Sequence, residues 1–405
     1  MRVLISSQVY PPASNGQAVF TQRLAEGLAR QGHHVTMLLA SERGAGYRER
    51  RGGVDVWGLP AIGFGTQLPD AYFTPFPLVG VERAFAQARP QIVHIQDHYP
   101  LARWVVGAAR RRRLPVVGTN HFIPENILHY VLPFQAGRRR LARMLWWTMT
   151  SFYNRLNLVT TPTRTAAHIA RQAGLTAPLR AISCGVDVAA FGAEGRRPAG
   201  EVRAQLGLAP DRRLLLYVGR VDEEKDLDVL LRALVGVGDL QLAVVGSGRH
   251  DAAIQGLAAE LGLMDRIVFT GFVPSHELPD YLHAADLFVM PSPAELQSIA
   301  TLEAMAAGLP VVAADARALP ELVVEGGNGF LFAPGQVASA QAALQRAVRA
   351  RSAWAAMGRI SLQRIQRHDL VETIEAYQAV YRRLISEARG APARLRAERQ
   401  ITISS

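Results

Sequence analysis

Two pairs of charged residues in the second half of the chain have the types and spacing to bind an anionic, hydroxyl-rich ligand. Arg220 follows an apolar run that ends at Gly219, and Lys225 comes five residues later, where a helix is expected to begin. Two cations beside a helix N-terminus form an anion site. Glu295 and Glu303 have seven residues between them, and one carboxylate can accept hydroxyl hydrogens from a sugar and the other from a ribose.

Lys225 is the only lysine of the chain. Lysine and arginine together number 45, so the other 44 of these basic residues are arginines. In a chain that uses arginine so widely, a retained lysine indicates a position that needs a compact ammonium, because a planar guanidinium is not equivalent there. The alternative is a solvated lysine left by chance.

The segment around Glu295 predicts a second contribution to an anion site. A strand is expected to end at Met290, and a proline-rich loop then carries Glu295 and leads to Ser298, a suitable helix N-cap. The amides of Gln297, Ser298 and Ile299 then lie at a helix start and could hold a phosphate or sugar oxygen. The alternative is ordinary acidic residues near a helix start, which the helix dipole favours.

These residues need a scaffold that brings the ends of several strands together, and strand-like runs do alternate with helical stretches. The predicted strands are Val3–Ser6, Val35–Leu39, Val54–Leu59, Ile92–Ile95, Val116–Thr119, Leu158–Thr161, Leu179–Ser183, Leu214–Val218, Leu242–Val245, Ile267–Thr270, Leu287–Met290 and Val311–Ala313. Alternation at this spacing predicts βαβ units and parallel sheets, with ligand crevices at the carboxyl ends of the strands.

The series of strands restarts after a stretch rich in glycine, proline and arginine at residues 191–200. Because 405 residues exceed one ordinary core, we expect an α/β fold of two doubly wound, Rossmann-like domains that face each other across an active-site cleft. The expected domains are residues 1–195 and 200–365. A helix over residues 366–388 and a basic, flexible tail over 389–405 follow them.

Composition limits the compartment and the partners. The chain is 49% hydrophobic and carries a net charge of +11 at pH 7, which favours phosphorylated substrates, nucleic acid or an anionic membrane surface as partners. Its one cysteine, Cys184, excludes an internal disulfide framework and a cysteine-based zinc cluster. No apolar run has the length of a membrane span, and the N-terminus has no signal-peptide pattern. We therefore expect a cytoplasmic protein.

Three features of the first half follow predicted strands. Gly16 lies between the first strand and a helix, where backbone could approach a diphosphate, although a plain turn would also explain it. Asp97 and His98 follow the strand that ends at Ile95 and could reach an acceptor. His121 follows the next strand, and a lone histidine at such a place is more often structural.

Two further loops follow strands in the second half. Gly246–Arg249 is a partial dinucleotide fingerprint that could line a nucleotide crevice or form only a tight turn. Val273 ends the next strand. Asp226 and Asp228 form the nearby D-x-D pair, which we interpret as helix capping by Asp226 and not as a metal site.

Two of these spacings resemble motifs of the retaining glycosyltransferases of family 4. Arg220 and Lys225, with four residues between them, match that family's diphosphate-binding pair, and Glu295 and Glu303 match its E-x7-E motif. The resemblance covers residues 1–385 and implies the GT-B fold. In that fold the first domain serves the acceptor, the second binds the nucleotide sugar, and a C-terminal helix crosses back onto the first domain.

The resemblance also implies roles for the site residues. Glu303 binds the ribose, Glu295 binds hydroxyls of the transferred sugar, and the cationic pair stabilises the departing diphosphate. His121 lies near the donor sugar, Val273 contacts the base through its backbone, and Gly16 approaches the diphosphate. The family is thought to transfer the sugar by same-face displacement, so no enzyme nucleophile, metal or other cofactor is expected.

Residues 110–156 combine arginine clusters with tryptophan and leucine, which suits the surface of an anionic bilayer. The leucines and Phe152 of this stretch also have helical spacing and could be core instead. Asn120–Asn126 and the pair Gln297 and Ser298 are similar to the branch that glucosylates diacylglycerol. That similarity implies a lipid acceptor and peripheral attachment at the inner face of the cytoplasmic membrane.

We therefore expect retaining transfer of a hexose from a nucleotide-diphosphate sugar, preferably a UDP-sugar, to a membrane lipid such as diacylglycerol. A GDP-mannose-dependent mannosyltransferase with the same motifs stays open. A nucleotide-dependent oxidoreductase would want a full G-x-G-x-x-G in the first βα turn, which the sequence lacks. A nucleic-acid-binding protein would not need the carboxylate pair, and the aromatic residues form no stacking platform, so we expect no nucleic acid partner.

Overall fold

The computed structural model describes residues 1–11, 15–64, 72–124 and 135–390. The chain divides into two compact units, which we call unit 1 (Met1–Ile182 with Thr373–Ser405) and unit 2 (Ser183–Glu372). Every predicted strand coincides with or overlaps an observed strand. None of the helices in the described ranges has the length and apolar character needed to cross a membrane.

Unit 1 is built on an eight-stranded sheet with the order β10-β9-β8-β7-β1-β2-β4-β3. The strands of unit 1 are β1 Arg2–Ser7, β2 His34–Ala40, β3 Tyr47–Arg51, β4 Val54–Leu59, β5 Ile62–Gly63, β6 Tyr72–Phe73, β7 Ile92–Ile95, β8 Val116–Thr119, β9 Leu158–Thr161 and β10 Leu179–Ala181. Neighbours pair in parallel except β3, which runs antiparallel to β4. The strand order therefore reverses between β1 and β7.

The helices of unit 1 bury one apolar face against this sheet. They are α1 Gly16–Arg30, α2 Pro77–Ala88, α3 Pro100–Arg111, α4 Gln135–Tyr153 and α5 Arg164–Gln172. α1 begins at Gly16 because the side chain of Asn15 accepts a hydrogen bond from the Ala18 amide at 3.0 Å, a standard N-cap. Phe20, Leu24 and Leu28 of α1 are buried at helical spacing.

Unit 2 is built on a six-stranded, fully parallel sheet with the order β13-β12-β11-β14-β15-β16. Its strands are β11 Arg213–Val218, β12 Leu240–Val245, β13 Ile267–Gly271, β14 Leu287–Met290, β15 Val311–Ala314 and β16 Gly329–Phe332. Its helices are α6 Ala199–Gln205, α7 Leu227–Val235, α8 Asp251–Glu260, α9 Leu278–Ala284, α10 Ile299–Ala306, α11 Leu319–Leu322, α12 Val337–Arg349 and α13 Trp354–Ile365. The strand order reverses between β11 and β14.

The last described helix, α14 Leu370–Ala388, confirms the predicted crossover, because from Thr373 onward it belongs to unit 1. Two buried tyrosines attach it to the sheet. The hydroxyl of Tyr381 lies 2.7 Å from Nδ1 of His94 on β7, and the hydroxyl of Tyr377 lies 3.1 Å from Oγ1 of Thr160 on β9. Buried polar groups that satisfy each other in this way favour one packing arrangement.

The strand predictions omit β3, the two-residue strands β5 and β6, and β16. β3 carries four charged residues in five and has no apolar alternation, so the hydrophobic pattern does not reveal it. It pairs only at the edge of the sheet, where its charges remain accessible, and the Arg48 guanidinium stacks on the Trp57 ring of β4 at 4.3 Å. A charged edge strand also discourages pairing with another chain.

Candidate functional site

The predicted donor residues of unit 2 follow the two strands between which the strand order reverses. Arg220 and Lys225 follow β11, and Glu295 follows β14. The Lys225 ammonium donates a hydrogen bond from Nζ to Oε1 of Glu295 at 2.6 Å. Open α/β sheets bind ligands in the crevice at this reversal point, so the contact lies where the topology predicts a ligand site.

The Lys225–Glu295 pair is charged and largely enclosed. The side chains of Lys225 and Glu295 are 17% and 12% exposed. Burial raises the pKa of the Glu295 carboxyl, but the ammonium of Lys225, a hydrogen bond from Ser292 and the charge of Arg220 together outweigh burial, and the pKa ends below its ordinary value. Glu295 is therefore an ionised hydrogen-bond acceptor at neutral pH, held at a fixed place by a cation.

Arg220 is held by two carboxylates that the sequence predictions missed. Its Nη1 lies 2.5 Å from Oδ2 of Asp222, and its Nη2 lies 2.8 Å from Oε1 of Glu224. Both carboxylates lie in the loop after β11, two and four residues after the arginine. The run of acidic residues before Lys225 was the sequence feature that could have predicted these contacts. Asp226 occupies the N-cap position of α7, but its side chain makes no capping bond, so that prediction is wrong.

The glycines of the loop after β12 pack against the loop after β11. A Cβ atom at Gly246 would lie 2.0 Å from the Gly219 carbonyl oxygen, and one at Gly248 would lie 2.2 Å from the Val221 carbonyl oxygen. Only glycine permits this approach of two backbones. The structure therefore gives Gly246 a packing role between loops. Val273, after β13, is half-buried and packs on the core of unit 2.

Helix α10 begins as predicted. The hydroxyl of Ser298 accepts a hydrogen bond from the Thr301 amide at 3.2 Å, which makes Ser298 the N-cap and Ile299 the first helical residue. Glu303 lies about one turn into the helix and is buried. The N-cap and the position of Glu303 are therefore confirmed, although Glu303 lies deeper in the protein than Glu295.

The side chain of Gln297 binds the segment with which unit 2 begins. Its Oε1 accepts a hydrogen bond from the Cys184 amide at 2.7 Å, and its Nε2 donates to the hydroxyl of Ser183 at 3.1 Å. Nδ1 of His368 lies 2.9 Å from the same hydroxyl. Gln297 therefore has an anchoring role that the sequence did not predict, beside the ligand role predicted for its amide.

In unit 1, Asp97 occupies the equivalent reversal point. It follows β7, and its Oδ2 accepts a hydrogen bond from the amide of Gln8, which follows β1, at 2.5 Å. The amide of Tyr99 donates to Oδ1 at 3.1 Å. Burial raises the pKa of Asp97 to about 6, although these amides oppose the shift. Asp97 therefore connects the two diverging loops through its two carboxylate oxygens.

The two candidate histidines of unit 1, His98 and His121, are uncharged at neutral pH. Burial lowers the pKa of His121 to about 3, and its Nε2 lies 3.0 Å from Oε1 of Gln96. Burial also lowers the pKa of His98 to about 4, and its ring stacks on that of Tyr99 with centroids 4.8 Å apart. Gly16 is exposed at the first position of α1. The structure brings Asp97 and His98 together in one loop, and places His121 on the next strand end.

Helix α4 has two distinct faces. Of the residues interpreted as core, Phe152 and Leu156 are buried and Leu141 and Leu145 are half-buried, and Trp146 is buried as well. Trp147 is 68% exposed, and Met144 and the preceding Arg143 are exposed as well. The two adjacent tryptophans therefore have different environments, one buried and one exposed to solvent. Residues 125–134, which include Glu125 and Asn126 of the predicted Asn120–Asn126 segment, lie outside the described residues.

Comparisons with known proteins agree with this arrangement. The family model "Glycosyltransferase Family 4" matches residues 14–190, and "Glycosyl transferases group 1" matches residues 199–363. Sulfoquinovosyl transferase SQD2 of Arabidopsis thaliana is 27% identical over 326 residues, which are 78% of this chain and 62% of that protein. The chain thus spans less than two thirds of this relative.

Two further matches cover more of their own chains. Alpha-monoglucosyldiacylglycerol synthase of Streptococcus pneumoniae is 25% identical over 345 residues, which are 82% of this chain and 75% of that protein. Among solved structures, sucrose-phosphate synthase from Thermosynechococcus elongatus superposes with a TM-score of 0.77 at 25% identity, over 95% of this chain and 99% of that one.

Proposed function

We propose that this chain, which belongs to the group 1 and family 4 glycosyltransferases and has their GT-B fold, moves a hexose from a nucleotide-diphosphate sugar to a hydroxyl acceptor. The favoured donor is a UDP-sugar, and the favoured acceptor is a membrane lipid such as diacylglycerol. The observation that carries the proposal is the 2.6 Å contact of Lys225 with Glu295, with Arg220 on the same strand end. It puts a diphosphate-binding cation beside a carboxylate suited to a sugar hydroxyl.

Each charged group has a part in binding the donor. Arg220 and Lys225 offer positive charge where the departing diphosphate gains negative charge, and such preorganised stabilisation is often the largest catalytic effect. Glu295 accepts hydrogen bonds from hydroxyls of the hexose, and Glu303 accepts them from the ribose. His121, uncharged and bonded to Gln96, offers a neutral hydrogen-bonding group on the acceptor side.

The proposed reaction retains the anomeric configuration. The acceptor oxygen forms a bond to the anomeric carbon on the face from which the diphosphate leaves, while the bond between that carbon and the diphosphate oxygen breaks. The acceptor hydroxyl proton passes to an oxygen of the leaving phosphate. The step needs no enzyme nucleophile, and the proposal assigns it no metal or other cofactor.

Two observations support a lipid acceptor at an anionic membrane surface. Arg140 and Arg143 on α4 are exposed beside Met144 and Trp147, a mixture of cationic and apolar side chains that suits the headgroup region of a bilayer. One relative is named as a synthase of a glucosylated diacylglycerol. We propose peripheral attachment through this face at the inner side of the cytoplasmic membrane.

A donor panel tests the proposal. The protein is mixed with diacylglycerol in anionic vesicles and with UDP-glucose, UDP-galactose or GDP-mannose, with and without EDTA, and lipid products are identified by mass spectrometry and NMR. We expect transfer from a UDP-hexose, an α-linked product and no effect of EDTA. Transfer from GDP-mannose alone would favour the mannosyltransferase alternative. The proposal would be overturned if no nucleotide sugar of the panel gave either transfer to the lipid or slow hydrolysis.

A further inference from the structure

We infer that Asp222 is a positioning residue that fixes the Arg220 guanidinium and couples it to the loop after β12. The inference rests on the proposed function, because Arg220 is assigned there to the diphosphate. Asp222 is one of the four residues between Arg220 and Lys225, and the motif itself assigns it no role. Its importance follows from the number and direction of its contacts.

One carboxylate group of Asp222 holds two loops. Its Oδ2 lies 2.5 Å from Nη1 of Arg220, and its Oδ1 accepts a hydrogen bond from the Arg249 amide at 3.0 Å. The side chain is only 4% exposed. A buried carboxylate must be paired and hydrogen-bonded to be tolerated, and here one oxygen serves each of the two loops.

The backbones of the two loops also bind each other next to Asp222. The amide of Val221 donates to the carbonyl of Ser247 at 3.2 Å, and the amide of His250 donates to the carbonyl of Val221 at 2.9 Å. Gly248 also packs closely against the carbonyl of Val221. The two loops thus form one connected support, and Asp222 is the side chain that extends this support to Arg220.

Such support matters because Arg220 is a long side chain that is about half exposed. A free arginine side chain loses much of its rotamer freedom when it is held in one place. A guanidinium that is already held loses less on binding a diphosphate. Glu224 binds the same guanidinium from position i+4, later in the same loop, and offers a matched comparison because the Arg249 amide donates to Asp222.

The test is a double-mutant cycle on nucleoside diphosphate binding. Asp222→Asn keeps an oxygen for the Arg249 amide and removes the charge that holds Arg220. UDP dissociation constants are measured by calorimetry for the wild type, D222N, R220A and D222N/R220A, with E224Q as the matched control and thermal unfolding for each variant. We expect D222N to weaken UDP binding about tenfold in the wild-type background, less than twofold in R220A, and E224Q to change it less than threefold.

An equal loss from D222N in both backgrounds would show a general structural role and overturn the inference, and so would unchanged binding in D222N. If D222N is unfolded at the assay temperature, Asp222→Glu is measured in the same two backgrounds, with the same dependence on Arg220 expected. A wild-type protein that binds no nucleoside diphosphate at millimolar concentration would contradict the proposed function itself. Normal wild-type binding with an uncoupled cycle would contradict only the role of Asp222.

Discussion

The two sheets place different chemistry at equivalent points. In unit 2, the loops that diverge at the strand-order reversal are joined by the ionised pair Lys225–Glu295. In unit 1, the corresponding loops are joined by Asp97, whose pKa is raised to about 6, and the loop after the next strand carries His121, whose pKa is lowered to about 3. One topology therefore supports an ion pair in unit 2, which we propose for a diphosphate, and in unit 1 a carboxylate held by backbone amides together with an uncharged histidine, which we propose for an acceptor hydroxyl.

The largest effect that this comparison predicts is from loss of the cation in unit 2. Lys225→Ala removes stabilisation of the departing diphosphate and leaves Glu295 largely enclosed without its partner, so we expect kcat/KM for the nucleotide sugar to fall about 100- to 1,000-fold. The control is Glu223→Gln, which changes an exposed carboxylate in the same turn. A K225A enzyme with wild-type kcat/KM would remove the basis for the comparison.

A second prediction compares how exposed arginines on each unit contribute to binding of anionic vesicles. Arg140→Glu/Arg143→Glu reverses two exposed charges on α4 of unit 1, and at about 1 kcal/mol for each basic residue near an anionic surface we expect partition to vesicles to fall at least about 30-fold. Arg349→Glu/Arg359→Glu makes the same charge change at exposed positions of unit 2. Co-sedimentation with phosphatidylglycerol vesicles measures both, and equal losses would argue against a specific face.

A third prediction concerns the shape of the cation. Lys225→Arg keeps the positive charge but replaces an ammonium that fits at 2.6 Å from Glu295 with a larger, planar group. We expect kcat to fall about tenfold. The reverse type of change at an exposed site, Arg232→Lys on α7, should leave kcat unchanged. Wild-type turnover in K225R would show that any cation suffices.

The last prediction concerns the pH dependence of the stability of each unit. Burial lowers the pKa of His94 to about 3 and that of His98 to about 4. Below pH 6.5 the unfolded state binds protons that these folded histidines exclude, so unit 1 loses stability as the pH falls from 6.5, by about 1 kcal/mol for each histidine and pH unit. His121 adds a third such group. Asp97, with its raised pKa, opposes the trend between about pH 6 and pH 4.

The stability of unit 2 is expected to depend less on pH over the same pH range. Among its described residues, one histidine, His368, has a lowered pKa, and the main cause is burial. The raised pKa of Asp226, about 6 because of burial, opposes the effect. Glu295 loses its stabilising charge only below its ordinary pKa. Hydrogen exchange of both units at pH 7 and pH 5.5 measures the difference, and greater loss of protection in unit 2 would contradict the account.

The sequence predicts the strands and the loops that carry the site because apolar runs and spacing are local signals. It does not predict that Asp222 holds Arg220, since that contact depends on the path of a loop after the strand ends. It also does not separate Trp146 from Trp147, because their environments depend on how α4 rotates against the sheet. Charge-rich β3 gives no apolar signal at all.

Because Lys225 is the only lysine, amine chemistry can test the central claim directly. The protein is treated with an amine-reactive acylating reagent, and labelling of the peptide that contains Lys225 is followed by mass spectrometry, with the amine of Met1 as the internal reference. Saturating UDP should slow labelling of Lys225 at least tenfold and leave Met1 unchanged, whereas uridine should protect neither. If UDP binds, as calorimetry would show, and Lys225 is labelled at its original rate, the diphosphate does not bind at this lysine and the account is contradicted.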